Sequence, residues 1–261
     1  MQVALWNAQS GLEAQQRVLD VVADNVANLS TPAFRKSRVG FAVTDYMRNP
    51  GNDPTGPAAL AVGPGAPPAV PSRVFVPGAL VPTGDPYDLA LVGPGYFVVQ
   101  DDQGQPAYTR AGNFALDGNY RLTDGNGHLV LGRTAPGAAP APVTLEGIVD
   151  APTVGADGTI TYTDAQGQVH NAGQLALVQF VNEQGLSMGA DGLWHETPAS
   201  GAPTAAYAPA TTVAQGQLEQ SNVDMGEEMV SALMAERAYQ ISARALGVAD
   251  EMIQKANELG R

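Results

Sequence analysis

The stretch SNVDMGEEMVSALMAERAYQISARALGVADEMIQKANEL, Ser221 to Leu259, has the spacing of a long helix with apolar side chains on two opposite faces. One seam runs Met225, Met229, Ala232, Tyr239, Ala243, Leu246 and Ile253. The other runs Met234, Ala238, Ile241, Ala245, Val248, Met252 and Leu259, displaced by two residues, or roughly 200° at about 3.6 residues per turn. Asn222 or Asp224 can cap its start, with Glu227 and Glu228 complementing the positive end of the helix dipole. A second helical pattern opens the chain. Leu5, Ala8, Leu12, Gln15, Leu19, Val22, Val26 and Leu29 make one seam, Ala14, Val18 and Val21 make a smaller one, and Thr31-Pro32 ends the helix. Each large apolar side chain left in water forgoes roughly 1.5–3 kcal/mol, so half a dozen on one helix approach the stability of a whole domain, about 5–15 kcal/mol. The two terminal helices can cover one seam of each other, and no further long helix exists to cover the rest.

Between them the sequence is written in short alternating runs broken by Gly, Asp, Asn and Pro, the pattern of hairpins. Phe97 and Val99, Phe114 and Leu116, Tyr120 and Leu122, and Leu129 and Leu131 are expected in strands, with Gly104, Asp117-Gly118 and Asp124-Gly125 at the turns. GTITYTDAQGQVH and GQLALVQFVN continue the pattern. The expected fold is mainly β with α-helical termini: a central antiparallel β domain plus paired N- and C-terminal helices forming a coiled coil. The boundaries read as 1–31 for the first helix, 32–80 for an extended Pro/Gly-rich connection, 81–205 for the β domain, 206–220 for a return segment and 221–261 for the last helix. The stretch 49–82 is rich enough in Pro and Gly to favour extended backbone.

Thirteen Lys/Arg against 26 Asp/Glu give a formal charge of −13, which repels nucleic acid and anionic lipid alike. With no cysteine, disulfides, thiolate catalysis and Cys-ligated metal are excluded. The N-terminal stretch has neither a basic leader nor a continuous apolar run, so it reads as neither a secretory signal nor a membrane span. His128, His170 and His195 have no ligand spacing between them, and DGNYRLTDGNG lacks the spacing and closing Glu of a calcium loop. No nucleophile motif or phosphate loop occurs. The expectation is no catalytic residue, no metal and no cofactor.

Three segments carry a resemblance. ALWNAQSGLEAQQRVLDVVADNVANLSTPAFRKSRVGF, TGDPYDLALVGPGYFVV with YTRAGNF, and QGQLEQSNVDMGEEMVSALMAERAYQ are together similar to the bacterial flagellar rod and hook axial proteins. The motif positions are Asn25, Asn28, Thr31, Phe34, Ser221, Asn222, Val223, Asp224, Arg237 and Tyr239. FRKSRVGF, MRNPG and the chain length resemble the distal-rod branch, with a proximal rod or hook-type subunit as the alternative. The chain departs from the family at the proline-rich 57–71 and at Pro32-Ala33, where Asn-Gly or Thr-Gly is common.

The resemblance implies a helical homopolymer forming a hollow, torque-transmitting tube, with the terminal helices inside and the β domain outside. It implies neighbouring rod and hook proteins and the flagellar export apparatus as partners, the basal body as location, export without a cleaved signal, and neither nucleic acid nor direct membrane insertion. Leu5, Leu12, Leu19, Val22, Val26, Leu29, Met229, Tyr239, Ile241, Leu246, Val248 and Met252 are the expected assembly residues. The alternative of another class is an exported glycan-binding or hydrolytic β domain whose helices are a dimerisation handle.

Overall fold

The computed structural model describes residues 2–40, 70–134, 138–207 and 210–259. The side chains of 2–8, Val70, Asp250, Ile253, Ala256, Asn257 and Leu259, together with most of the Pro/Gly-rich stretch, lie outside the described residues. The chain forms two compact units, one holding both long helices and one holding residues 30–35 and 75–222.

In the helical unit, α1 (Gln2–Ala27) and α2 (Met225–Leu259) pack against one another. They run antiparallel: Gly11, early in α1, faces Ser242, in the second half of α2. α1 ends four residues before Thr31, earlier than the Thr31-Pro32 break requires. Its last turn tightens there: the Asn28 N–H is shared between the Asp24 and Asn25 carbonyls at 3.1 and 3.2 Å, the Leu29 N–H bonds the Val26 carbonyl at 3.3 Å, and Asn28 Nδ2 adds a bond to the Asp24 carbonyl at 2.9 Å. Asp224 is the cap of α2, its Oδ1 accepting the Glu227 N–H at 2.9 Å. A short antiparallel pair, Ser37–Gly40 with Val70–Arg73, completes the unit. Among the described residues no helix is long and apolar enough to cross a membrane.

The β unit is antiparallel throughout. Its main sheet runs Thr153–Val154, Thr159–Thr163, Val169–Leu175, Leu129–Arg133, Tyr96–Gln100, Pro106–Thr109, Trp194–His195 and Ser187–Met188. The central strand YFVVQ is apolar without alternation because it is buried on both faces. Phe97 and Val99 pack in one core with Phe114, Leu145 and Leu175, while Tyr96 and Val98 pack in a second with Tyr108, Phe180 and Trp194. Edge-on aromatic pairs fix both cores, Phe97–Phe114 at 5.1 Å and Tyr108–Phe180 at 4.9 Å between ring centroids. Strand structure continues past residue 205. Thr212–Gln215 pairs with Leu89–Val92 and Gln217–Glu219 pairs with Leu80–Pro82, so the expected return segment is part of the β unit.

One turn recurs through this unit. In 101–105, 117–121, 124–128, 155–159, 164–168 and 189–193 the first N–H bonds the fifth carbonyl, and the fourth N–H bonds the first carbonyl. The fourth residue must adopt positive φ, and Gly104, Gly127, Gly158, Gly167 and Gly192 do so. In 117–121 that residue is Tyr120, at φ 60°. It is therefore a turn residue and not the strand residue that alternation suggests; Gly118 and Gly125 are not the left-handed positions. Left-handed backbone costs a side-chain-bearing residue about 1–2 kcal/mol, and glycine loses about 0.5–1 kcal/mol in chain entropy. Tyr120→Gly is thus expected to stabilise the protein by about 0.5–1 kcal/mol, read as a higher denaturation midpoint at unchanged slope. Ala33, at φ 56°, is the other described side-chain-bearing residue in this conformation, which glycine adopts without the cost.

Candidate assembly surface

The helices meet through small side chains. On α1 the buried residues are Ala14, Val22 and Asn25, and on α2 they are Ala235 and Glu228, with Ala232, Ala238 and Ser242 half-buried beside them. A Cβ built on Gly11 would lie 3.4 Å from Ser242 Oγ, which is ordinary contact at close approach. This Ala/Ser/Gly stripe takes the small members Ala232 and Ala238 from the two seams expected on α2 and adds Ala235 and Ser242, which lie between them. The seams themselves remain largely outside the intramolecular contact: Ile241 and Met234 are each 67% exposed, and Met229, Val248, Met252 and Tyr239 are also exposed. Leu246 is half-buried.

On α1, Leu12, Leu19, Val26 and Leu29 are half-buried, and the side chain of Leu5 lies outside the described residues. Leu12 and Tyr239 come together in a shallow groove completed by Glu13, Gln16, Arg17 and Asp20. The expected assembly residues of α2 are thus mostly exposed, and the described ones of α1 are half-buried or buried. Apolar spacing alone does not reveal the stripe that does the pairing, because Ala, Ser and Gly carry little hydropathic signal.

The motif positions are chiefly structural. Asn25, 1% exposed, bonds both ways to the backbone of Ser37, Nδ2 donating to the carbonyl at 2.9 Å and Oδ1 accepting the N–H at 2.8 Å. It imitates a strand neighbour and fixes the Ser37–Gly40 strand to the end of α1. Asn222 donates through Nδ2 to the Val76 carbonyl at 2.8 Å, and its N–H bonds the Phe34 carbonyl at 3.2 Å. Phe34 and Ser221 are half-buried, Val223 is buried, and Thr31 and Arg237 are exposed. Outside the motif, Lys36 Nζ pairs with Glu227 Oε2 at 2.6 Å.

Beneath this junction lies a charge cluster that sequence reading does not find. Glu219, 2% exposed, accepts from Arg35 Nη1 and from the Gly78 N–H on Oε1, while Arg110 Nε lies 3.3 Å from Oε2. Arg110 also donates to the Gly93 carbonyl and places its guanidinium 5.9 Å from the Tyr96 ring centroid. Burial lowers the Arg110 pKa, opposed chiefly by Glu219. Burial likewise raises that of Glu183, opposed by Arg110 and Arg35. Arg35, Arg110 and Glu219 come one each from FRKSRVGF, YTRAGNF and QGQLEQSN. That each of the three segments of the resemblance holds one charged residue at a core-forming position is the signal that could have paired them.

His128 is buried against Asp124, with Nδ1 2.8 Å from Oδ2. Burial lowers its pKa, but the hydrogen bond and charge of Asp124, aided by Asp102 and Asp191, raise it overall. A raised histidine stabilises fully below its unfolded value, about 6.5, and that contribution fades as pH rises through the folded value. Denaturation of His128→Gln against the parent chain at pH 5.5 and pH 8.5 should show the larger loss at pH 5.5. Asp117 and Asp164 are held low chiefly by turn N–H donors, those of Arg121 and Gln168 respectively, as a turn-former requires. Among the described residues no three His, Cys, Asp or Glu are grouped to hold a metal ion.

Two paired helices that leave large apolar residues exposed, with the β unit between them in sequence, give the chain the architecture of a structural protein and offer no catalytic or metal site among the described residues. Three family models match the chain: the flagellar basal-body rod protein model over 5–35, the flagellar hook protein FlgE/F/G D1 domain over 90–162, and the flagellar basal-body rod FlgEFG C-terminal model over 214–259. The chain is 35% identical to the flagellar basal-body rod protein FlgG of Buchnera aphidicola subsp. Schizaphis graminum, covering 98% of this chain and 99% of that protein. It is 33% identical to FlgG of Borreliella burgdorferi over the whole of both chains, and 29% identical to FlgF of Escherichia coli over 99% and 98% of the two. The chain belongs to the flagellar basal-body rod protein family and is a structural subunit of the rod, located in the flagellar basal body.

Proposed function

We propose that this chain forms the distal part of the rod, polymerising helically into a hollow tube that carries torque from motor to hook. The observation that carries this reading is the exposed apolar surface of α2, Met229 on one seam and Met234, Ile241, Val248 and Met252 on the other, left outside the contact with α1. At roughly 1.5–3 kcal/mol for each such side chain, covering these five against neighbouring copies is a driving force sufficient for assembly. The distal position is supported by the greater identity to FlgG relatives than to the FlgF relative.

In this reading the terminal helices, 1–31 and 221–261, make a coiled-coil inner layer and the β domain lies outside it. Leu5, Leu12, Leu19, Val22, Val26 and Leu29 contribute from α1, and Tyr239, Leu246 and the exposed residues from α2. The subunit carries no catalytic site, its partners are its own copies and the neighbouring rod and hook proteins, and it reaches its place through the flagellar export apparatus. Sedimentation velocity over a hundredfold range of concentration tests polymerisation. A lengthening series of particles is expected, and one discrete species at every concentration contradicts it.

A further inference from the structure

We propose that the buried carboxylate of Glu219 is a late-closing lock: residues 30–35 dock onto the β unit, bringing the ends of the two helical segments together, only after residues 217–222 are in place. Arg35 and Arg110 are both buried, and Glu219 is the acid that bonds or touches each of them. Arg35 and Glu219 are 184 residues apart in sequence, so neither guanidinium has this counter-ion until almost the whole chain is present. A buried arginine without its carboxylate is strongly unfavourable, so docking of Arg35 before Glu219 arrives is suppressed.

The backbone around Glu219 makes the closure concerted. The Ala33 N–H bonds the Glu219 carbonyl at 2.8 Å, the Gln220 N–H bonds the Ala79 carbonyl at 2.9 Å, and the Asn222 N–H bonds the Phe34 carbonyl at 3.2 Å. Gly78 seals the site: a Cβ there would lie 1.9 Å from the Gln220 carbonyl oxygen, so the strand end and residues 217–222 fit only at this close approach. The chain passes from α1 into residues 30–35 and from Asn222 into α2 within three residues. Closing the lock therefore tethers the starting points of helix pairing at adjacent residues, which raises their effective concentration. Before closure the helices have no such tether.

The sheet itself does not need the lock. Strands Tyr96–Gln100, Pro106–Thr109 and Leu129–Arg133 pair with one another and bury their own apolar faces. The proposal therefore predicts an order of events, sheet first and junction second. It is independent of where in the rod the subunit stands and of how it polymerises.

The test is pulse-labelling hydrogen exchange during refolding of the full chain, with the same measurement at equilibrium on Glu219→Gln. In the parent chain the amides of Tyr96–Gln100 should become protected first, and those of Ala33, Gln220 and Asn222 together in a later phase. In Glu219→Gln, equilibrium exchange at Ala33, Gln220 and Asn222 should accelerate roughly 100-fold or more, while Tyr96–Gln100 stays near its parent rate. Protection of Ala33 with or before the sheet, or apart from Gln220, overturns the proposal. So does Glu219→Gln exchange that is unchanged, or that rises equally across the unit. Should Glu219→Gln fail to fold, the order of protection in the parent chain decides.

Discussion

Gly112→Ala is expected to destabilise the β unit by about 3 kcal/mol or more, a large share of the about 5–15 kcal/mol that holds an ordinary domain folded. A Cβ at this position would lie 1.6 Å from the Leu89 carbonyl oxygen and 2.7 Å from its carbonyl carbon, both backbone atoms. Neither can retreat. The Leu89 N–H bonds the Gly112 carbonyl at 2.9 Å, and Leu89 is a fully buried strand residue paired with Gln215. Overpacking in a soft region is relieved by a rotamer change, but here relief requires pulling the 112 backbone away from the Leu89 strand and breaking the bond between them. Chemical denaturation of the purified variant measures the loss, and a midpoint within about 0.5 kcal/mol of the parent, the usual range of neutral surface changes, would contradict it.

Met234→Asp with Ile241→Asp is expected to abolish assembly while leaving the isolated subunit folded. Both side chains are two-thirds exposed and neither belongs to the stripe that pairs α1 with α2, so the monomer loses only about 0.5 kcal/mol per site in helix propensity. In a polymer each substitution would remove roughly 1.5–3 kcal/mol of apolar burial and place a carboxylate in an apolar contact. Even the apolar part, summed over two sites and divided by about 1.4 kcal/mol per factor of ten, raises the critical concentration more than 100-fold. Circular dichroism and sedimentation together separate the two effects. A variant that stays helical yet polymerises like the parent would remove these residues from the interface.

The contrast between these variants shows what could be read from residues alone. Strand alternation, double-seamed helices and Asp/Gly turns are local periodicities, and local periodicity survives in a sequence. Phe97, Val99, Leu129 and Leu131 are strand residues as their spacing indicates. Tyr120 fails the same reading because the fourth position of its turn is set by backbone geometry and not by hydropathy. The centre of the pairing stripe of α2 escaped because Ala235 and Ser242 are small and weakly apolar, while the conspicuous Met229, Met234 and Ile241 are exposed. The Arg35–Glu219–Arg110 cluster escaped for a different reason: charged residues far apart in sequence have no period, and only the fold brings them together.

Burial of the exposed α2 positions on assembly can be read out chemically. The chain has no cysteine, so Ile241→Cys supplies a single thiol on an exposed helical position. Maleimide labelling of that variant as dilute subunit and as sedimentable polymer reports whether the position is covered on assembly. The account predicts rapid labelling of the subunit and near-complete protection in the polymer; equal labelling of the two would contradict it.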